Sequence, residues 1–280
     1  MAIFAPPLSE SEIQVAFPGR FTNLTPVDAG GQGCVFRGET LDGSAVALKV
    51  YVPDPGARVE ERTEREVQAL RAMRCPAIVS LEDFGTVSIR NKPCRFVTTP
   101  FIDGVTVSQL VNQSAMSVAM VAQLAHDVSV AIGAMWSPAR IVHRDIKPNN
   151  VMWTRGDRAV VIDLGLARHL SLESLTVTGG VCGTFGFMSP EQFSGSKQLS
   201  CKSDVFALGV LLQYCLNRQH PTGGDQWLLA AGAPATSQLA PATPVAMAAV
   251  VDLMLRRNPV ERPLPTAIAD FFRTQGGALQ

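Results

Sequence analysis

The residues whose types and spacing point most directly to chemistry occupy positions 143–150, which read HRDIKPNN. Asp145 can accept a proton from a hydroxyl group, Lys147 can neutralise a phosphate, and Asn150 can bind Mg²⁺ through its amide oxygen. Phosphoryl transfer requires these three functions close together. Taken alone, the run could also be an ordinary polar surface loop.

A second acidic residue follows in a suitable context. The β-branched run 160–162 predicts a short strand that ends at Asp163, with Gly165 soon after it. Such a strand would set the Asp163 carboxylate beside Asn150 and so complete a pair of oxygen ligands for Mg²⁺. Asp163 alone would be read as a turn residue, but together with Asn150 it favours a metal site.

A glycine-rich stretch at 27–35 lies between two predicted strands. Without Cβ atoms, its backbone N–H groups could approach phosphate oxygens closely, although most glycine clusters are only turns. The next strand, predicted over Ala45–Val52, contains Lys49 in an apolar run. An unpaired ammonium is costly to bury, so Lys49 needs phosphates or a carboxylate as its partner.

The segment Val59–Met73 predicts an amphipathic helix, because its apolar residues recur at helical spacing. Glu66 lies beside the apolar stripe and can therefore face the sheet. A surface ion pair between Glu66 and Arg62 is the ordinary alternative. The need of Lys49 for a partner favours Glu66 as that partner.

The chain divides by pattern into a strand-rich part and a helix-rich part. Residues 20–102 predict a small sheet with one helix, whereas residues 103–273 are dominated by helical periodicity. Residues 1–19 are expected to be an N-terminal extension and residues 274–280 a flexible tail. The fold class expected is α+β, with two lobes.

Individual elements can be placed as well. Besides the strand and helix above, we expect strands at Ile78–Phe84 and Cys94–Thr99, a helix at Val118–Met135 and a buried helix at Phe206–Leu216. The last is the most apolar window and is shorter than the ~20 residues that span a bilayer, so no membrane span is expected. The stretch 217–244 predicts irregular surface with one short helix.

Composition limits the function classes. The 24 Lys and Arg balance the 24 Asp and Glu, so net charge does not indicate a nucleic-acid or anionic-membrane partner. The first 20 residues lack the pattern of a secretion signal. The six cysteines include no C-x-x-C pair, which argues against a zinc site and a disulfide framework and favours reduced thiols in the cytoplasm.

With these motifs in this order, the chain resembles the eukaryotic-like (Hanks-type) bacterial serine/threonine protein kinases. The resemblance continues through Gly183–Glu191 and through Asn258–Pro263, which contains Arg262. It implies a bilobal fold with an ATP cleft between a β-rich lobe and a mainly helical lobe. It also implies transfer of the γ-phosphate of Mg-ATP to protein Ser or Thr hydroxyls, since Lys147-Pro148 is typical of that class.

The resemblance also implies site residues. The catalytic set is Asp145, Lys147, Lys49 and Glu66, and the ligands of Mg²⁺, or of Mn²⁺ in its place, are Asn150 and Asp163. The ATP-binding set is Val27, Gly30, Gly31, Gln32, Gly33, Val35, Ala47, Lys49, Thr99, Pro100, Ile102 and Met152. Asp28 stands where the family has its first loop glycine, and a modest effect on ATP binding is expected.

A regulatory switch is a further expectation. Arg144 precedes the catalytic Asp145 and can bind an anion, while Thr176 and Thr178 offer hydroxyls in the following segment. Phosphorylation there would add about −1.5 to −2 charges that Arg144 could bind. Autophosphorylation in trans would require self-association. A flexible polar loop is the alternative.

Two rival functions remain open at this stage. A pseudokinase scaffold would keep the fold and bind ATP without transfer, and Asp28 is the feature that supports it. A small-molecule kinase of the aminoglycoside phosphotransferase type would share the Asp and Asn site. Those enzymes lack a segment like Gly183–Glu191 and a pair like Glu191 and Arg262, so a protein substrate is favoured.

Overall fold

The computed structural model of the chain describes residues 7–30, 33–51, 59–137, 139–164, 168–169 and 183–275. They form two compact units. The first contains the described residues up to Ala72 together with Val79–Ile102, and the second contains Met73–Ile78 together with those from Asp103 onward. The first is rich in strands and the second is mainly helical, so the predicted α+β class is confirmed.

The first unit is built on a five-stranded antiparallel sheet with the order β1-β2-β3-β5-β4. Its strands are β1 (Thr22–Gly30), β2 (Gly33–Glu39), β3 (Ala45–Tyr51), β4 (Asp83–Ile89) and β5 (Lys92–Pro100). The strand predicted over Ile78–Phe84 was wrong in its bounds, because Ile78 belongs to the second unit, where it forms a bridge with Val161.

Two helices accompany this sheet, α1 (Glu10–Ala16) and α2 (Val59–Ala72). Helix α2 was predicted, whereas α1 was not. A capping box between Ser9 and Glu12 starts α1. Its apolar residue Ile13 joins a core cluster with sheet residues such as Leu48. The region that the sequence assigned to an N-terminal extension therefore contributes to the core on one face of the sheet.

The second unit is dominated by helices. Its elements are β6 (Gly104–Thr106), α3 (Val107–Gln113), α4 (Val118–Trp136), β7 (Ile141–Val142), β8 (Val151–Thr154), β9 (Ala159–Val161), β10 (Arg168–His169), α5 (Pro190–Phe193), α6 (Cys201–Asn217), α7 (Gln226–Ala231), α8 (Thr236–Leu239), α9 (Val245–Met254) and α10 (Pro265–Gln275). Strands β6, β8 and β9 form one small sheet, and β7 pairs with β10. The predicted helices at 118–135 and 206–216 are confirmed, and the stretch 217–244 contains two short helices instead of one.

Helix α4 crosses the interior of the second unit and packs against α6 and α10. Among the described helices it is the one long and apolar enough to cross a bilayer by length and composition. In this structure 56% of its most apolar 18-residue window is buried inside the fold. Such burial is usual for the core helix of a globular unit.

Candidate active site

The loop 143–150 connects β7 to β8 and ends in a turn of 3₁₀ helix, Pro148–Asn150. Its start is fixed by Asp204 in the first turn of α6. The Asp204 carboxylate accepts hydrogen bonds from the backbone N–H groups of His143 and Arg144, both at 2.9 Å. Burial raises the pKa of Asp204, while the nearby His143 and the two hydrogen bonds oppose this shift. A buried acid from α6 therefore holds the loop backbone in place.

Asp145 lies at the centre of a compact polar cluster and is only 7% exposed. Lys147 Nζ is 2.9 Å from Asp145 Oδ2, and Asn150 Nδ2 donates to the same oxygen at 2.9 Å. The hydroxyl of Thr184 donates to Asp145 Oδ1 at 2.6 Å and accepts from Lys147 Nζ at 2.6 Å. The cluster thus presents a hydroxyl, a carboxylate and an ammonium within hydrogen-bond reach of one another.

Asn150 and Asp163 carry an amide and a carboxylate, the kinds of oxygen ligand that Mg²⁺ prefers. Because Asn150 Nδ2 donates to the backbone and side-chain oxygens of Asp145, the orientation of the amide is fixed and Oδ1 is its remaining acceptor. Ile162 N donates to Asn150 O at 2.9 Å, which holds the residue before Asp163 against the loop. An amide oxygen and a carboxylate suit Mg²⁺, which completes its shell with water and substrate phosphates.

Within the first unit, Lys49 projects from β3 and Glu66 from α2. Their charged atoms, Nζ and Oε2, lie 3.7 Å apart. Tyr51 contacts both residues, since its hydroxyl donates to Glu66 Oε2 and its ring centroid lies 4.9 Å from Lys49 Nζ. The ammonium over the ring has the geometry of a cation–π contact. Tyr51 is fully buried, so Lys49, Tyr51 and Glu66 form a three-membered cluster.

Several residues of the predicted ATP-binding set share one face of this sheet. Val35 pairs with Lys49 across β2 and β3, and Ala47 pairs with Thr99 across β3 and β5. Because strand residues alternate between faces, Val35, Ala47, Lys49 and Thr99 point to the same side. The opposite face carries the apolar core that α1 covers.

The segment from Gly183 to Glu191 is tied to the loop at its start. A Cβ on Gly183 would lie 2.5 Å from Gln192 Nε2 and 2.9 Å from Arg144 O. Gln192 Nε2 itself donates to Arg144 O at 2.7 Å. Only a glycine can pass so close to this hydrogen bond. The close approach brings Thr184 to Asp145.

The end of the same segment is anchored by a buried ion pair. The Arg262 guanidinium donates to both carboxylate oxygens of Glu191, at 2.7 and 2.8 Å, and Ser203 Oγ donates to Glu191 Oε1 at 2.7 Å. The side chain of Arg262 is 0% exposed. Its remaining N–H groups donate to backbone carbonyls, among them that of Lys202 at 2.8 Å. The charge is therefore paired and hydrogen-bonded, as burial requires.

Comparison with known proteins identifies the family. Residues 21–269 match the family Pkinase, described as the protein kinase domain. The chain belongs to this family. It is 32% identical over 255 residues to the serine/threonine-protein kinase PknD of Mycobacterium tuberculosis, which cover 87% of this chain. It is 32% identical over 254 residues to PknE of Mycobacterium bovis and over 227 residues to the probable serine/threonine-protein kinase PknB of Lactococcus lactis, covering 84% and 76% of this chain.

The chain spans only part of the length of these kinases. The matched regions cover 38% of PknD, 42% of PknE and 34% of PknB. The resemblance to bacterial serine/threonine protein kinases and the two-lobed kinase fold expected from it are confirmed. Family membership implies use of ATP and a divalent metal ion and action on protein substrates.

The structure brings the predicted kinase residues together in two groups. Asp145, Lys147 and Asn150 form hydrogen bonds and ion pairs with one another in the second unit, and Asp163 follows the residue bonded to Asn150. Lys49 and Glu66 form a pair in the first unit.

The other predicted positions are distributed over both units. Gly30 pairs with Gly33 at the end of the β1–β2 hairpin, and Val27 lies exposed on β1. Pro100 ends β5 and Ile102 is the last residue of the first unit, whereas Met152 pairs with Val160 in the second. The predicted residues Gly31, Gln32, Thr176 and Thr178 lie outside the described residues.

Two contacts of the candidate site, one in the Lys49 cluster and one in the Asp145 cluster, were not predicted from the sequence. The tyrosine at position 51 lies two residues after Lys49, on the same side of β3, and this spacing was the available signal for a contact with Glu66. Thr184 was noted only as part of a motif. Its bond to Asp145 joins residues 39 apart in the chain, and no local pattern predicts such a contact.

Proposed function

We propose that this domain is an active serine/threonine protein kinase that transfers the γ-phosphate of Mg-ATP to Ser or Thr hydroxyls of proteins. The observation that carries the proposal is the hydrogen bond from the Thr184 hydroxyl to Asp145 Oδ1 at 2.6 Å. Asp145 accepts a hydrogen bond from a hydroxyl group here, and proton transfer from a substrate hydroxyl requires the same geometry. Lys147 Nζ lies 2.6 Å from the same hydroxyl oxygen.

In the proposed reaction, a Ser or Thr hydroxyl of the substrate donates to Asp145. Its oxygen forms a bond to the γ-phosphorus as the bond from that phosphorus to the β–γ bridging oxygen breaks. The hydroxyl proton passes to Asp145, and ADP leaves with the bridging oxygen. Lys147 offsets the negative charge that develops on the transferring group.

Asn150 and Asp163 would hold the divalent ion, Mg²⁺ or Mn²⁺ in its place. The bound ion would neutralise charge on the phosphates. The chain orients the amide of Asn150, because Asn150 is held by hydrogen bonds to Asp145 and from Ile162 N. Asp163 has a φ of 59°, an uncommon conformation for a residue other than glycine. Strained backbone of this kind is frequent at functional sites.

Lys49 is proposed to bind the α- and β-phosphates, with Glu66 and Tyr51 holding its ammonium. Gly30, Gly31, Gln32 and Gly33 would approach the phosphates through backbone N–H groups. The adenine would contact Val27, Val35, Ala47, Thr99, Pro100, Ile102 and Met152. The shared sheet face of Val35, Ala47 and Thr99 with Lys49 supports this assignment.

We also propose regulation by autophosphorylation at Thr176 or Thr178, with Arg144 binding the phosphate. Arg144 is suited to this role because Asp204 and Gln192 hold its backbone. These hydrogen bonds fix the point from which the side chain projects. Copies of the chain would associate transiently to phosphorylate each other. The free thiols among the described cysteines support a reducing compartment, and we propose that the kinase acts in the cytoplasm.

The test is incubation with Mg-ATP and a generic basic protein, followed by phosphosite mapping. Wild type should phosphorylate the protein on Ser or Thr, and itself on Thr176 or Thr178, while Asp145→Asn should do neither. Asp157→Asn is the matched control, since Asp157 lies in the exposed β8–β9 turn, and it should retain full transfer. Wild type without transfer would refute the proposal and favour a scaffold. Transfer without phosphate at Thr176 or Thr178 would refute the switch alone.

A further inference from the structure

Two side chains from the start of the stretch 217–244 hold the backbone of the segment after Thr184. Gln226, the first residue of α7, is 2% exposed. Its Oε1 accepts from Gly186 N at 2.9 Å, and its Nε2 donates to Met188 O at 2.9 Å. One buried amide therefore satisfies both a donor and an acceptor of this segment.

His220 binds the same segment from the turn between α6 and α7. Its Nε2 lies 2.6 Å from Gly186 O, while its Nδ1 lies 2.8 Å from Gly224 N and 3.2 Å from Thr222 N. Backbone N–H groups can only donate, so Nδ1 is the acceptor and the proton resides on Nε2, which donates to Gly186. The neutral ring thus links its own turn to Gly186.

Gly186 is shaped to receive these contacts. Its φ of 90° lies in the region that favours glycine, and a Cβ there would lie 3.0 Å from His220 Nε2 and 3.3 Å from Gly224 Cα. Phe187, the next residue, packs edge-on against the His220 ring at a centroid distance of 5.2 Å. A side chain at this position would be strained by the positive φ and would press against the imidazole.

The segment held in this way is a tight turn next to the proposed catalytic group. Phe187 N donates to Thr184 O at 3.1 Å, which closes the turn, and Thr184 donates to Asp145. Phe185 stands at the tip of the turn and is 63% exposed. The turn is joined to Asp145 through Thr184, and side chains of His220 and Gln226 satisfy its backbone groups at Gly186 and Met188.

We propose that His220 and Gln226 are positioning residues that fix the turn 184–187 for binding of the protein substrate. This inference rests on the proposed kinase function. Because the two side chains act on the turn and not on the first unit, they should govern the KM for a peptide substrate and leave the KM for ATP unchanged. A purely structural role would lower stability without this selectivity.

The first test compares two buried glutamines. Gln226→Leu removes both hydrogen bonds to the turn, whereas Gln213→Leu is the matched control. Gln213 is equally buried, and its Nε2 donates to Pro234 O at 2.8 Å, away from the turn. Gln226→Leu should raise the peptide KM at least about tenfold, since the loss of even one of these two buried hydrogen bonds has an effect of that order. Gln213→Leu should lower the melting temperature with the peptide KM unchanged. Equal peptide KM values for the two variants would overturn the proposal.

The second test separates the two ring nitrogens of His220. Asparagine places its amide near the position of Nδ1 and glutamine near that of Nε2. His220→Asn should therefore keep the contacts to Thr222 and Gly224, lose the bond to Gly186, and raise the peptide KM. His220→Gln should keep the bond to Gly186 and a peptide KM near wild type. The reverse order of the two KM values would overturn the role of His220.

A third measurement does not depend on activity. In hydrogen exchange, the Gly186 amide should exchange at least about tenfold faster in Gln226→Leu than in wild type or Gln213→Leu. Unchanged exchange would overturn the positioning role. If wild type transfers no phosphate, the proposed kinase function fails, and the exchange rates still decide whether the two residues hold the turn.

Discussion

The Asp145 cluster of the second unit and the Lys49 cluster of the first unit are held in different ways. The Asp145 carboxylate has partners in Lys147, Asn150 and Thr184 at 2.6 to 2.9 Å. In contrast, Nζ of Lys49 lies 3.7 Å from Glu66 Oε2, an oxygen that also accepts from a tyrosine. The Asp145 cluster is thus held by shorter contacts than the ion pair of Lys49 and Glu66.

The supports of the two clusters explain this difference. Beneath Asp145, the buried acid Asp204 accepts two backbone hydrogen bonds, and the pair of Glu191 and Arg262 anchors the neighbouring segment. Charge-assisted hydrogen bonds of buried groups are short and strong. The contacts described for Lys49 are with Tyr51 on its own strand and with Glu66 on α2. We infer that chemistry at Asp145 is preorganised, while the position of Lys49 is adjustable.

Replacing Arg262 with methionine should have the largest effect on stability. It leaves the Glu191 carboxylate without its buried partner, which should lower the free energy of unfolding by about 3 to 5 kcal/mol. Denaturant titration measures the change. Arg273→Met is the matched control, since Arg273 pairs with Asp270 on an exposed helix face at 3.2 Å, and it should cost at most ~0.5 kcal/mol. Equal losses of unfolding free energy in the two variants would show that the pair of Glu191 and Arg262 does not anchor the segment.

Replacing Thr184 with valine tests the Asp145 cluster directly. The change removes the hydroxyl that joins Asp145 to Lys147 and keeps the shape of the side chain. Loss of a hydrogen bond to a charged group should lower kcat about 10- to 100-fold. Thr184→Ser keeps the hydroxyl and should restore most of the rate. A valine variant as fast as the serine variant would show that the cluster does not depend on this bond.

Replacing Tyr51 with phenylalanine tests the Lys49 cluster. The variant keeps the ring under Lys49 but loses the hydroxyl that holds Glu66. Because Tyr51 acts through these residues, the KM for ATP should rise roughly 3- to 10-fold while the peptide KM stays constant. The other tyrosine of the chain, Tyr214, provides the control Tyr214→Phe. A shift in melting temperature with no change in the KM for ATP would assign Tyr51 a structural role only.

The smallest expected effect concerns pH. Burial lowers the pKa of His220 below its usual value of 6.5, and the bond to Gly186 O partly opposes the shift. Protonation would also turn Nδ1 from an acceptor into a donor facing Thr222 N and Gly224 N, while the nearby acid Asp225 is engaged with N–H groups of α7.

Because the folded state binds this proton less readily than the unfolded state, the contribution of His220 to stability is complete above about pH 6.5. It is lost as the pH falls through the lowered pKa. Melting curves between pH 8 and pH 5 should therefore fall more steeply for wild type than for His220→Asn. Parallel curves would contradict the neutral, hydrogen-bonded state of His220.

Local patterns were enough to predict α2, α4, α6 and the strand of Lys49, because helical spacing and apolar runs report burial directly. Helix α1 was missed because it is only seven residues long and contains few apolar residues. Its apolar pattern is visible only when Phe17 and Phe21, which follow the helix, are included. The strand at 78–84 was misplaced because Ile78 joins a partner 83 positions away. Local hydrophobicity does not reveal which unit will bury a residue.

Motifs in the sequence predicted part of the candidate site, as local patterns predicted part of the fold. The spacing of Asp145, Lys147 and Asn150 placed them together, whereas the contacts of Tyr51 and His220 were not predicted. Their hydrogen-bond partners lie 15 and 34 positions away in the chain. Glycine at 186 was a signal in principle, since glycine is favoured where φ is positive and where a neighbouring group lies close to the backbone. The sequence alone does not name that neighbour.

The most direct test of the account measures two quantities on wild type and Asp145→Asn. These are the rate of phosphate transfer to a Ser/Thr peptide and the rise in melting temperature on adding Mg-ATP. The account predicts that Asp145→Asn lowers the rate at least ~100-fold while the rise in melting temperature stays as in wild type. Transfer by the variant at the wild-type rate would contradict the role of Asp145 as the group that accepts the proton.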